Sequence, residues 1–284
     1  MQQGFEASQR LNARFLLLTD ADIAHSPHSL TALVSKAQTE GLDLVSVMAQ
    51  LRVANLWERL LIPAFVFFFA KFYPFRWVSN PGKSTAAAAG GCVLLRRAAL
   101  EPAGGFRRIA SAIIDDCALA KLINGEGRPE GGKLWLGLSQ DIRSLRSYNG
   151  LVGIWNMVAR TAFTQLHYSP LLLIATVLGL GLAYLMPPLS AAGGLAAVAI
   201  SPGLGLGWWL LATGLLAWIL MTASYLPMLR WYSTSPWFAL LLPLTVLLYT
   251  SMTIDSARQS WKGVGGAWKG RTYEFKEETP EGII

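Results

Sequence analysis

The stretch Phe15-Leu16-Leu17-Leu18-Thr19-Asp20-Ala21-Asp22 gives the clearest indication of a fold class. An unbroken apolar run of this length is typical of a strand that is buried on both faces of a parallel sheet. Side chains at positions i and i+2 of a strand point to the same side, so Asp20 and Asp22 are predicted to face one site. That site would lie at the carboxyl end of the strand, where open α/β sheets bind ligands.

Two hard oxygen donors at such a position suit Mg²⁺ or Mn²⁺, which can in turn neutralise a diphosphate. The alternative is a strand that ends in an Asp turn, with Asp22 or Ser26 helping to start the next helix. The short motif alone leaves both interpretations open. His25 and His28 flank the carboxylates, and as polar residues at a helix start they are predicted to be solvated rather than bound to metal.

The composition divides the chain into a polar part and an apolar part. Of its 284 residues, 53% are hydrophobic and only 14% are charged, against roughly 25% charged in soluble domains. Between Thr161 and Ile254 the only charged side chain is Arg230. A membrane-attached enzyme, or a membrane protein with a cytosolic head, is therefore predicted. The formal net charge of +7 comes without a basic stripe interleaved with aromatic residues, so no nucleic-acid partner is predicted.

The polar part contains several predicted elements. A helix over residues 26–40 begins at a Ser-Pro pair and is followed by a strand over residues 42–48. The apolar run Leu60–Phe69 is too short to cross a bilayer, which needs about 20 residues. It is either a buried core helix or a helix in the membrane interface. Cys92 and Cys117 lack the spacing of metal ligands and are predicted to be reduced core residues.

Two further polar motifs lie later in the head. Asp115 and Asp116 open a helix that is predicted to run to about Asn124, although acidic residues at this position also simply complement the helix macrodipole. Arg143 and Arg146 stand three residues apart, which places them on one face of a helical turn. Such a pair suits a diphosphate oxyanion, and the alternative is a basic flank of the following membrane segment.

Three segments are apolar enough to be predicted spans: residues 171–189, 207–226 and 237–254. Residues 190–206 carry no charge and are rich in Gly, Ala and Pro, so an outer loop, a re-entrant piece and a fourth span all remain open. Basic residues before the first span and after the last favour the cytosol for both ends of this section. That distribution requires an even number of crossings, whereas hydropathy gives three.

Three motifs occur in one order along the chain: Asp20-Ala21-Asp22, Ile114-Asp115-Asp116 and the paired arginines before an interfacial helix. In this the chain resembles membrane-bound family 2-type glycosyltransferases of the GT-A fold, and in particular the hopene-associated glycosyltransferase group. Those enzymes carry a DxD motif, a later (E/D)D motif and a (Q/R)xxRW motif before their membrane helices. The resemblance covers nearly the whole chain and includes Trp268-Lys-Gly-Arg271.

The fold class that the resemblance implies is α/β, the C-terminal part of a GT-A, Rossmann-like domain, followed by an all-α transmembrane helical section. Four parts are expected: a partial glycosyltransferase domain over residues 1–148, an interfacial amphipathic helix over 149–170, transmembrane helices over 171–255 and a basic polar tail over 256–284. In this family an anchor and the first strands precede the DxD motif, so the chain resembles an N-terminally truncated form. The tryptophan of (Q/R)xxRW is also replaced, with Tyr148 nearby.

The resemblance implies inverting transfer of a sugar from a nucleotide-sugar donor to a hydroxyl of a membrane lipid, in hopanoid or related lipid metabolism. Asp116 would be the general base, with Asp115 raising its pKa. Mg²⁺ or Mn²⁺ would be held by Asp20 and Asp22, and the donor diphosphate by these residues together with Arg143 and Arg146. The expected location is the bacterial inner membrane, as a multi-pass protein with a cytosolic head. The alternative is a catalytically silent remnant of such an enzyme, and without the first half of the domain no measurable transfer is expected.

Overall fold

Short apolar runs build a five-stranded sheet at the centre of the head. The computed structural model describes residues 1–125, 131–203 and 205–263. The strands of this sheet are β1 (Phe15–Thr19), β2 (Ile23–His25), β3 (Leu44–Gln50), β4 (Cys92–Arg96) and β5 (Leu134–Ser144). They lie in the order β1-β4-β3-β5-β2, with β3 and β5 parallel and each other neighbouring pair antiparallel.

The environment predicted for β1 is partly wrong. Both of its faces do meet apolar residues, Leu16 and Leu18 on one side and Phe15 and Leu17 on the other. However, β1 pairs antiparallel with β4 and forms the edge of the sheet among the described residues, so its side chains are only half-buried. The parallel pair is instead β3 with β5, and β3, predicted over residues 42–48, is buried along almost its whole length.

Helices cover both faces of the sheet. Helix α2 (Ser29–Thr39) packs Leu33 and Ala37 on one face, as the helical pattern of residues 26–40 predicted. The opposite face carries α3 and the larger core. The helices are α1 (Gln2–Ser8), α2, α3 (Leu56–Phe72), α4 (Phe75–Val78), α5 (Arg97–Leu100), α6 (Asp115–Asn124), α7 (Gly150–Ala159), α8 (Ala162–Gln165), α9 (Pro170–Leu180), α10 (Met186–Ile200), α11 (Gly205–Trp231) and α12 (Leu242–Trp261).

Helix α3 is the apolar run for which two environments were open. Six of its apolar side chains between Leu60 and Phe67 are buried, which favours the core alternative. The helix packs between the head and the apolar helices: the Phe67 ring lies 5.1 Å from that of Tyr225 in α11. The Tyr249 hydroxyl of α12 donates to the Leu61 carbonyl at 2.7 Å. Cys92 and Cys117 are free and buried, as predicted.

Two helices are long and apolar enough to cross a membrane, Pro170–Ile200 and Gly205–Trp231. The first joins α9 and α10 through a π-helical turn over Gly181–Leu185. Pro187 and Pro188 lack N–H groups, so the carbonyls four residues earlier lose their helical donors and the turn widens there. Three interpretations were open for residues 190–206. Of these residues, 190–200 belong to the second half of the first long helix.

The third predicted span, residues 237–254, is wrong in its extent. Helix α12 begins only at Leu242, and its last turns carry Asp255 and Arg258. One face of α12 is buried against α3, α7 and α8. If both helices that are long and apolar enough cross a membrane, they give the even number of crossings that the distribution of basic residues favours. From residue 264 onward the predicted basic tail, with Trp268-Lys-Gly-Arg271, lies outside the described residues.

Glycines hold the two long helices close together. A Cβ atom on Gly214 would lie 2.4 Å from the backbone nitrogen of Ala191, and one on Gly194 would lie 2.3 Å from that of Leu211. Small residues at such contacts allow the close backbone approach on which helix pairs in membranes depend. We expect Gly214→Ala to lower the thermal midpoint by several degrees, because overpacking costs about 1–3 kcal/mol. The control is Gly179→Ala, where nothing lies within 4 Å of the added carbon; an equal loss there would contradict this packing argument.

Candidate active site

One large cavity, of about 1210 Å³, runs from the sheet to the apolar helices. Its polar end is lined by five side chains that the sequence singled out: Asp20, Asp115, Asp116, Arg146 and Tyr148. They come from the end of β1, the start of α6 and the loop after β5. The fold therefore brings together motifs that lie more than 120 residues apart in the chain.

Asp116 is held firmly in the wall of this cavity. Its Oδ2 accepts the Gly90 N–H at 2.8 Å, and its Oδ1 accepts the N–H of Cys117 at 2.7 Å. A Cβ atom on Gly90 would lie 3.2 Å from the same Oδ2, so only glycine approaches the carboxylate this closely without displacement. Burial raises the pKa of Asp116 to about 6, and the charge of Asp115 adds to the rise. The carboxylate is therefore ionised at neutral pH and able to accept a proton.

The rate of sugar transfer should follow the ionisation of Asp116. A base acts only when it is deprotonated, so a raised pKa moves the loss of activity upward in pH. With a pKa of about 6, we expect kcat/KM to be level above about pH 7 and to fall about tenfold per pH unit below pH 6. The measurement is a pH profile at saturating metal. A profile that stays flat down to pH 5 would contradict this assignment.

The DxD carboxylates lie beside this site, but not on an extended strand. Asp20-Ala21-Asp22 forms a turn between β1 and β2, in which the Ile23 N–H donates to the Asp20 carbonyl at 3.2 Å. The alternative of an Asp turn is correct in this respect, although the turn leads into a strand and not into a helix. Desolvation raises the pKa of Asp20, as do the charges of Asp22 and Asp115, whereas Arg146 lowers it. These groups therefore act on one another electrostatically.

The donor set of this turn fits a divalent cation shared with a substrate. No group of three His, Cys, Asp or Glu side chains in residues 1–125, 131–203 and 205–263 could hold a metal by itself. Mg²⁺ is commonly bound by one or two carboxylates together with substrate phosphates. Asp20 and Asp22 could supply the carboxylates, and the donor diphosphate the phosphates. His25 instead shares a hydrogen bond with the Thr19 hydroxyl at 2.9 Å and is half-buried, whereas His28 is exposed.

The two arginines do not share a face, because the helical turn predicted there is wrong. β5 continues through Arg143 to Ser144, so the backbone there is extended and not helical. Arg146 follows the strand, lines the large cavity and stacks over the Tyr148 ring at 5.7 Å. Arg143 lines a separate groove, where its Nε donates to the Gln140 carbonyl at 2.8 Å. The structure thus places only Arg146 near the carboxylates.

Glu58 and Asn55 position the loop that carries Arg146, and the sequence reasoning missed both. Glu58 is fully buried, and its carboxylate accepts N–H groups of Ala54 at 2.7 Å, Asn55 at 3.2 Å and Tyr148 at 3.0 Å. Asn55 caps α3 and donates to the Tyr148 carbonyl at 3.4 Å. Although burial opposes it, these N–H donors lower the pKa of Glu58. The Asn-x-x-Glu pattern before an apolar run is typical of a capping box, and it is the sequence pattern that could have identified Asn55 and Glu58.

We expect Glu58→Gln to impair both stability and donor binding. The amide nitrogen of glutamine cannot accept a hydrogen bond, so the N–H of Tyr148 or those of Ala54 and Asn55 would lose a partner inside the protein. A buried unsatisfied donor costs about 1–3 kcal/mol. The thermal midpoint should fall and the KM for the donor should rise more than that for the acceptor. Glu101→Gln, at an exposed carboxylate, is the control. An unchanged thermal midpoint in Glu58→Gln would contradict a stabilising role of the hydrogen bonds that Glu58 accepts.

A second polar network lies between Asp116 and the apolar helices. The Tyr73 hydroxyl accepts a hydrogen bond from Gln165 Nε2, and burial together with the nearby Cys117 thiol raises the pKa of Tyr73. The thiol in turn lies 3.7 Å from the Ala88 carbonyl, and burial raises its pKa to about 12. Cys117 is therefore a protonated structural thiol, and the network links α8 to the start of α6. A lone tyrosine and glutamine gave no signal in the sequence.

The head thus combines a mixed sheet and carboxylates at one end of a large cavity with two helices that are long and apolar enough to cross a membrane. Residues 1–280 match the model of the family Glycosyl transferase family 21. The chain therefore belongs to this family and is a glycosyltransferase. No match is found among curated proteins.

Proposed function

We propose that this glycosyltransferase moves a sugar, with inversion, from a nucleotide-diphosphate sugar to the hydroxyl of a membrane lipid. The observation that carries the proposal is the continuity of one cavity from Asp116 to the apolar helices. The far wall of this cavity is formed by side chains of α3, the first long helix and α12: Phe65, Phe68, Phe69, Phe72, Leu180, Tyr184, Val246 and Tyr249. A water-soluble acceptor would not use such a wall, whereas a hydrocarbon chain would gain about 25 cal/mol per Å² buried there.

The chemistry follows from the polar end. The acceptor hydroxyl would lie against Asp116, which takes its proton while the oxygen bonds to the anomeric carbon. The bond between that carbon and the donor diphosphate breaks at the same time, and attack from the opposite side inverts the configuration. Arg146 is placed to offset the charge that grows on the leaving diphosphate. Mg²⁺ or Mn²⁺, held by Asp20 and Asp22, would supply further positive charge to that leaving group when bound.

The apolar helices support attachment to a bilayer by a hairpin of two crossings, with the head and α12 on one side. By resemblance, that side is the cytosol of a bacterial inner membrane, and the acceptor belongs to hopanoid or related lipid metabolism. A cavity that opens toward the hairpin allows the acceptor to reach Asp116 without leaving the membrane.

The test uses the full chain in lipid nanodiscs, labelled nucleotide sugars and bacterial lipid extract. The sequence alone led to an expectation of no measurable transfer, but the cavity that joins Asp116 to the apolar helices leads us to expect label in the organic phase. Asp116→Asn should abolish the label, while Asp141→Asn, at an exposed carboxylate outside the cavity, should not. Label found only as free sugar, or on soluble acceptors, would contradict a lipid acceptor. A ligand that binds the native state must raise the thermal midpoint. If the chain is instead a catalytically silent remnant, we expect no transfer and no rise of the midpoint with nucleotide sugar and Mn²⁺.

A further inference from the structure

A second groove lies apart from the active site, where the head meets the end of the second long helix. The groove has a volume of about 460 Å³ and is lined by two short segments, Gln50–Val53 after β3 and Arg143–Leu145 at the end of β5. Gln50 lies opposite Arg143 in the sheet, which brings the segments together. None of these residues lines the large cavity.

The groove is basic and has no acidic residue in its lining. Arg52 and Arg143 are exposed, and in the part of the chain that the structure describes neither forms an ion pair. The Nε–H of Arg143 is held by the Gln140 carbonyl, which fixes the guanidinium and leaves its other N–H groups for a ligand. Glu58, whose pKa is influenced by Arg52, turns its oxygens inward onto backbone N–H groups.

The groove is anchored to the end of α11. The Trp231 carbonyl, at the last residue of that helix, accepts hydrogen bonds from Gln140 Nε2 at 2.9 Å and Gln50 Nε2 at 3.4 Å. Arg230 is exposed beside it, and Leu145 in the groove wall is 66% exposed. A helix that crosses a bilayer ends near the phosphate groups of the lipids, so the groove lies at their level.

We propose that this groove binds the phosphate headgroup of an anionic phospholipid. Two guanidinium groups would hold the phosphate by charge-assisted hydrogen bonds, and Leu51, Val53 and Leu145 would contact the start of the acyl chains. Arg143, which the sequence associated with the donor diphosphate, then helps to join the head to the membrane, together with Gln140 on the Trp231 carbonyl. Binding here is independent of the reaction at Asp116.

The test measures binding of fluorescent phosphatidylglycerol and of its phosphatidylcholine analogue to the full chain in neutral detergent. We expect preferential binding of phosphatidylglycerol, and a loss of roughly 30-fold in Arg52→Gln/Arg143→Gln, from the attraction that each arginine supplies near a membrane surface. Arg107→Gln/Arg108→Gln, two exposed arginines close to α1, is the matched control and should bind as the parent does. Circular dichroism confirms folding of both variants.

Two outcomes would overturn the proposal. The first is equal binding of phosphatidylglycerol by the parent and the Arg52→Gln/Arg143→Gln variant. The second is evidence that the groove binds a soluble phosphate instead. That evidence would be displacement of the lipid by millimolar inorganic phosphate or pyrophosphate, or a loss of nucleotide-sugar affinity in the variant without a loss of lipid binding. The readout is binding and not transfer, so it does not depend on the function proposed above.

Discussion

Asp116→Asn is expected to reduce sugar transfer by roughly 10²–10⁴-fold, the contribution typical of a positioned general base. The substitution keeps the size of the side chain, and its remaining oxygen can still accept one of the two N–H groups that Gly90 and Cys117 donate. What is lost is the ability to accept the proton of the acceptor hydroxyl. Donor affinity should change little, because Asp20, Asp22 and Arg146 remain in place.

Asp115→Asn is the matched comparison for that variant. Asp115 is exposed, and its charge contributes to the raised pKa of Asp116. Its removal should leave transfer largely intact at neutral pH and move the acid limb of the pH profile to lower pH. Calorimetry with the donor and a transfer assay, run on both variants, separate binding from chemistry. If Asp116→Asn retained transfer and Asp115→Asn lost it, Asp115 would be the general base and Asp116 would not.

The second large effect is expected from Asp20→Asn/Asp22→Asn, combined with removal of divalent cations. Amide groups are weaker ligands for Mg²⁺ or Mn²⁺ than carboxylates are, so donor binding should weaken by about 10²-fold or more. Chelation by EDTA should reproduce this loss in the parent protein and add little in the double variant. Acceptor binding should be unchanged in both cases.

Glu40→Gln serves as the control, since Glu40 is an exposed residue that pairs with Lys36 on α2. Donor binding that resists EDTA and survives in Asp20→Asn/Asp22→Asn would show that the diphosphate is held without a metal. Arg146 would then be the principal group to test. The loss of binding should also be relieved in part by higher Mn²⁺ concentrations in the single variants.

Local patterns predicted the elements that depend on neighbouring residues. The Ser-Pro helix start indicated α2, and the acidic pair Asp115 and Asp116 indicated the start of α6, both close to the observed bounds. The carboxylates were also found, because their chemistry is visible in the residue types. The convergence of Asp20, Asp115 and Asp116 in one cavity, which Asp22 does not line, was expected from the order of motifs rather than from any local rule.

Long-range pairing explains most of what the sequence did not reveal. The antiparallel pairing of β1 with β4 joins residues more than 70 positions apart, and nothing in Phe15–Thr19 indicates it. The spacing of Arg143 and Arg146 suits a helical turn only if the backbone is helical, whereas pairing with β2 and β3 keeps it extended. The continuous helix Pro170–Ile200 was divided in the prediction at residue 190, where the composition becomes rich in Gly, Ala and Pro, whereas the structure continues the helix through a π-helical turn.

The most direct test of the account is where an acceptor lipid lies in the protein. A photoactivatable lipid with a free hydroxyl and a diazirine in its acyl chain should cross-link to Phe68 and to Tyr184, on the far wall of the cavity, and unlabelled lipid extract should compete. Peptide mapping by mass spectrometry identifies the sites. Cross-links confined to the outward faces of the long helices, such as Leu195 and Trp209, without competition, would contradict a cavity that brings a lipid hydroxyl to Asp116.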